Sequence, residues 1–205
     1  MTPFDILTTS ACALPLASID TDQLIPARFM KRSRADGYGQ FLLHDMRFDE
    51  TGAARSDFPL NAASAEGAEV LVTRRNFGAG SSREAAVYAL VDFGFRCVIA
   101  PSFGDIFASN AVNNGLLPAK VSEADAEEIL ALLQTAGTTI TVDLHDALIR
   151  LGNRTFTFSI DPIWRTKLLN GWDDLDLTAS LTGDIVRFEQ QDSAVRPWVQ
   201  LPGRS

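Results

Sequence analysis

Apolar positions in this chain fall into two rhythms, and the points where one gives way to the other mark its elements. β-branched and apolar residues over 1–19, broken by Pro15, predict one or two short strands. The runs 70–73 and 97–100 are short and continuously apolar, as buried strands are. Between them, 85–93 carries a helical pattern that Gly94 closes, so strand, helix and strand form a βαβ unit. A second helical pattern begins near Asp105 and stops at Asn113-Asn114-Gly115, and a strand follows over 116–121. Ser122 opens an acidic helix over 122–136, with Ile129, Leu130, Leu132 and Leu133 as its buried face and Gly137 as its stop. Period-two alternation over 138–144 and 155–160 predicts strands, with a further strand and a Gly-Asn turn between them. Short helices are expected at 163–170, 173–181 and 184–191, and an irregular tail from about 192. Residues 45–68 lack periodicity and read as loop, with a short helix near 40–46. No repeat or linker interrupts the pattern, so 1–205 reads as one α/β domain.

Composition narrows the function classes. A net charge of −8 argues against a general nucleic-acid binder, which needs a basic surface for phosphates. No apolar run approaches the roughly 20 residues of a membrane span, and 1–10 has no basic n-region, so a cytoplasmic address is the default expectation. Cys12 and Cys97 are far apart and lack metal-ligand spacing, so the chain is not expected to hold a metal site by itself. They read as reduced, buried thiols. His44 beside Asp45 reads as a loop-edge residue or a functional pair, and His145 as a solvent-facing turn residue.

Candidate chemistry concentrates in Asn76-Phe77-Gly78-Ala79-Gly80-Ser81-Ser82-Arg83-Glu84. A strand, a two-glycine turn and a helix N-terminus with hydroxyls and a guanidinium make an anion site. A dinucleotide fingerprint would need Gly where Arg83 stands, and a Walker A loop would need a Gly-Lys-Ser/Thr ending. Phosphotransfer would need a nucleophilic histidine at the turn. The remaining reading is a small-carboxylate site in which a serine moves a proton, its alkoxide favoured by the helix end and the guanidinium. Upstream, the 19–26 segment Ile-Asp-Thr-Asp-Gln-Leu-Ile-Pro is either a helix cap or a carboxylate at the mouth of a site. Arg28, Lys31, Arg32 and Arg34 then form a basic cluster able to steer a small polyanion.

These segments, NFGAGSSRE and IDTDQLIP, together with VIAPSFGDIF and NNGLLP, resemble the small subunit of 3-isopropylmalate dehydratase, in the aconitase superfamily. They stand in family order and at family spacing over roughly 14–171. The resemblance implies a swivelling β/β/α domain and a separate large subunit that carries a [4Fe–4S] cluster on three cysteines. It implies a hydro-lyase of leucine biosynthesis that isomerises 2- and 3-isopropylmalate by dehydration and rehydration. Related dehydratases of other alkyl- or methylmalates, and a non-catalytic paralogue that binds the large subunit, are the alternatives. On this resemblance Ser81 is the catalytic base and Asp22 organises the proton relay. Ser82 and Arg83 bind substrate carboxylate, Phe29 and Met30 lie where the alkyl group is selected, and Arg32 or Arg34 adds a carboxylate contact. Ala79, Ala85, Val87 and Tyr88 replace the Cys, His, Pro and Trp usual in the family motif.

Overall fold

The computed structural model describes residues 1–135 and 139–199. Its centre is a seven-stranded sheet of order β4-β3-β2-β1-β5-β6-β7. Strand β1 (Ile6–Leu14) is shared between two halves. Its residues 11–14 run parallel to β2 (Val70–Thr73), and its residues 6–10 run antiparallel to β5 (Thr139–Asp143). Beyond β2 lie β3 (Cys97–Ala100) and β4 (Leu117–Lys120), both parallel. Beyond β5 lie β6 (Leu148–Leu151) and β7 (Arg154–Thr157), both antiparallel and joined by a turn containing Gly152 at φ +58°.

Alternation along the parallel strands feeds two cores. Cys12, Leu14, Leu71, Val98 and Ala100 point to one face. Ala11, Val70, Val72, Cys97 and Ile99 point to the other. Burial on both faces is why β2 and β3 read as unbroken apolar runs. A side chain such as Leu71, fully covered, contributes about 1.5–3 kcal/mol. The antiparallel half buries one face only, through Ile140, Val142, Ile149, Leu151 and Phe156, and so keeps its polar–apolar alternation.

The first face is covered by α1 (Thr21–Leu24), the loop that follows it, α2 (His44–Arg47), α3 (Glu84–Phe93) and part of α4 (Asp105–Asn113). The second is covered by α5 (Glu123–Thr135) and α6 (Pro162–Asn170). Helices α3 and α6 end at the glycines that the sequence marks as stops. Gly94 at φ +119° caps α3, and Gly171 at φ +69° caps α6. Asp161 accepts from the Ile163 and Trp164 amides ahead of Pro162 at the first helical position. The expected stop of α5 at Gly137 lies outside the described residues.

The chain closes with α7 (Asp174–Ser180) and α8 (Thr182–Val195). The last helix runs past the expected boundary near 192. Arg196 pairs with Asp192 one turn back and its amide bonds the Asp192 carbonyl at 2.7 Å, so helical bonding persists until Pro197 imposes a stop. Among the described residues no helix is long and apolar enough to cross a membrane.

Candidate active site

The Gly-rich turn sits beyond the carboxyl ends of the parallel strands, where open α/β sheets gather ligand groups. Three loops leave those ends together, after β1, β2 and β3, and keep pairing past the sheet. Asp20 bridges Ala79 and Phe77 bridges Phe103, both in parallel sense. The Gly78 amide bonds Ile19 O at 2.7 Å, the Thr21 amide bonds Ala79 O at 2.9 Å and the Gly104 amide bonds Phe77 O at 2.9 Å. Asn76, at φ +63°, donates its amide to Ser102 Oγ at 2.8 Å and its side chain to Ser18 Oγ at 3.2 Å.

Two glycines are obligatory at this junction. Gly78, at φ +70°, lies flat on the Phe107 ring, and a Cβ there would come within 2.2 Å of it. A Cβ on Gly104 would meet Gly78 O at 2.6 Å. Below them Phe77, fully buried, packs edge-on against Phe103 and Phe107.

On this base the turn lifts Ser81 and Ser82 into solvent at the start of α3. Arg83 occupies the N-cap position with extended backbone and no side-chain cap, so no capping group competes for the first amides of α3. The Arg83 guanidinium, 22% exposed, pairs instead with the Asp22 carboxylate. Asp22 belongs to α1, which Asp20 caps through a reciprocal bond with Gln23. The cap expected of that segment is Asp20, and Asp22, the candidate carboxylate, faces the turn through its pair with Arg83.

Four contributors escaped sequence reasoning. Thr21, 1% exposed, donates to Ser81 O at 3.1 Å and fixes the serine's backbone from beneath. Ser102 and Phe107 support the turn from the loop after β3 and from α4. Asn114 holds Glu84 at 2.9 Å. Their signal was present in the DTD, SFGDIF and NNG segments, but which residue touches the turn is decided by pairings across the sheet.

The loop expected to select the alkyl group passes beside α3. Phe29 stacks on Phe41 at 4.3 Å and is half-buried, whereas Met30 is 39% exposed. Arg28 pairs with Asp45, and this hydrogen bond holds the Asp45 carboxyl below the usual range. His44 lies 3.3 Å from the same carboxylate. Arg32 is exposed and its side chain has no ion pair among the described residues, while Arg34 lies over the Tyr88 ring at 3.7 Å. Burial, and then hydrogen bonding with Glu84, raise the Tyr88 phenol above its ordinary value.

The cysteines do not suit an iron–sulfur cluster. Both are buried on β1 and β3, and burial pushes the Cys12 thiol up to about 11 and raises Cys97 as well, against the thiolate a cluster needs. Among the described residues no three His, Cys, Asp or Glu side chains gather in a way that could hold a metal ion.

Sheet order, cross-linked loops and a serine–arginine turn at a helix start define the class: a swivelling β/β/α domain of the aconitase superfamily. The family model for the aconitase C-terminal domain matches residues 1–124. Over 195 residues the chain is 44% identical to the 3-isopropylmalate dehydratase small subunit of Shouchella clausii, covering 95% of this chain and 99% of that protein. It is 40% identical to the protein of the same description from Bacillus subtilis over 202 residues, covering 98% and 100%. The crystal structure of 3-isopropylmalate dehydratase from Methanocaldococcus jannaschii matches with a TM-score of 0.61 at 25% identity, covering 90% of this chain and 99% of that one. The chain belongs to the 3-isopropylmalate dehydratase small-subunit family.

Proposed function

We propose that the chain is the small subunit of the hydro-lyase that interconverts 2-isopropylmalate and 3-isopropylmalate in leucine biosynthesis, active only with its large subunit. The observation that carries this reading is the exposed Ser81 at the start of α3, beside an Arg83 already oriented by Asp22. The near full-length match to proteins of that description supports it. In this reading 1–205 works as one mobile domain in the cytoplasm that closes over the partner's half of the site.

The roles follow from chemistry. One substrate carboxylate lies against Arg83 and the Ser82 hydroxyl, in the positive field of α3. Ser81, as alkoxide, takes the proton from the carbon next to the one bearing the hydroxyl. As that C–H pair becomes the new double bond, the C–O bond breaks and hydroxide leaves toward the partner. Return of the proton and hydroxide to exchanged carbons gives the isomer. Asp22 keeps Arg83 aligned and links the proton relay toward the partner side. Phe29 and Met30 face the isopropyl group, and Arg32, exposed and without an ion pair among the described residues, meets the second carboxylate. No step here passes through a metal on this chain; the [4Fe–4S] cluster belongs to the large subunit in this reading.

The test is co-expression with a large subunit and assay on both isopropylmalates. Ser81→Ala should form the complex yet lose about 10³-fold or more in kcat, the scale of a missing proton-transfer group. Turnover at the wild-type rate in that variant would remove Ser81 from the chemistry.

A further inference from the structure

We infer that Arg34 is a positioning residue which, with Tyr88 and Asp92, fastens the substrate-selecting loop to helix α3, so that loop and serine turn move as one body. The inference rests on the functional reading above only for the loop's role in selecting the alkyl group. The fastening itself stands on geometry.

Glu84, Tyr88 and Asp92 are spaced four apart and form one stripe along α3, beginning directly after the Ser81–Arg83 turn. Arg34 and Tyr38, also four apart, lie along that stripe. The Arg34 guanidinium sits 3.7 Å from the Tyr88 ring centre and 3.8 Å from the Asp92 carboxylate. The Tyr38 amide donates to the other Asp92 oxygen at 2.9 Å, and the Tyr38 and Tyr88 rings stack at 6.2 Å. The Tyr38 hydroxyl reaches back to Arg32 O at 2.8 Å, closing the loop on itself. Gly39 completes the seam: a Cβ there would meet the Asp92–Phe93 backbone at 2.6 Å, so the loop lies directly on the helix.

Each partner has a distinct job. Asp92 holds the loop backbone, the Tyr88 face holds the Arg34 plane, and Asn114 fixes Glu84 beside the phenol. A planar guanidinium stacks on an aromatic face in a way that an ammonium does not. Met30, Arg32 and the serine turn thus share one rigid mount, although Phe29 and Ser81 stand 52 residues apart in sequence. Arg34 itself is spent on the seam, which leaves Arg32 for the substrate.

The experiment has two arms. In the isolated chain, hydrogen exchange is followed over 27–38, with 70–73 as the control for global stability. In the complex, kcat/KM is compared for 3-isopropylmalate and the smaller 3-methylmalate. Arg34→Met and Tyr88→Leu should each speed exchange over 27–38 about fivefold, the size of one surface cation–π contact, and leave 70–73 unchanged. Each should lower the isopropyl-to-methyl preference by a similar factor, through KM for the isopropyl substrate. Tyr88→Trp should behave as wild type, and Arg34→Met combined with Tyr88→Leu should be no worse than the worse single change. Asp92→Asn, a surface change, should reproduce the loosened exchange if either other variant folds poorly. The inference is overturned if Tyr88→Leu and Asp92→Asn leave exchange at wild-type rates, or if Arg34→Met raises KM for both malates alike while Tyr88→Leu changes neither. Should the wild-type complex turn over neither malate, the functional reading fails and the exchange arm still decides the fastening.

Discussion

Single atoms decide the shape of the turn. Gly78 carries a positive φ and has an aromatic ring where a Cβ would be, so no rotamer adjustment rescues a larger residue. Gly78→Ala should destabilise the chain by about 3 kcal/mol, combining a left-handed penalty with overpacking, read as a lower urea midpoint. An unshifted midpoint would mean that Phe107 yields. The turn's candidate groups were legible because the hydroxyls, the arginine, Gly78 and Gly80 lie together in sequence. Asp22, Thr21 and Ser102 were less legible, since their relation to the turn depends on strand pairing rather than on spacing.

At the scale of elements, β1 is the strand on which both halves depend, and its buried thiol makes that dependence measurable. Cys12 has a folded pKa of about 11, above the roughly 8.5 of an open chain, so the unfolded state gives up its proton first. Its contribution is therefore complete below about pH 8.5 and is lost as pH rises toward the folded value. Cys12 should account for on the order of 2 kcal/mol of the fall in unfolding free energy between neutrality and about pH 10, beside the contribution of the buried Cys97 thiol, so Cys12→Ala should lessen the slope. A slope unchanged by that substitution would assign the effect elsewhere. On the acid side, Asp143 closes β5 while accepting the Asp146 amide at 3.0 Å and a contact from Arg150 at 3.3 Å; the amide bond leads in depressing its pKa. Its stabilisation is present above about pH 4 and is lost as pH falls through the lowered value. Asp143→Asn should remove part of the acid-side decline in melting temperature. Strands, helices and their stops were largely readable from pattern, because Gly94, Gly115 and Gly171 all adopt the positive φ that ends a helix. The end of α8 was not, because helical bonding continues through Asp192 and Arg196 up to the stop at Pro197.

Across the whole molecule, stability and function draw on different parts of the chain. Two cores grip the sheet from 4 to 168, whereas α8 contributes no buried residue. Removing 182–205 should leave the melting temperature of the isolated chain within about 2 °C, since less than about 1 kcal/mol is at stake. A larger drop would show that α8 is part of the folded unit. The cross-linked loops carry a further consequence, for the order of assembly. Thr21 and Ser81 are 60 residues apart, and Asp22 and Arg83 are 61. Contacts of such separation form late, after the intervening chain has surrendered its loop entropy to the sheet. A nascent or partly folded chain therefore has the serine and the arginine but not the assembled candidate site, and that assembly becomes a certificate that β1, β2 and β3 have found one another.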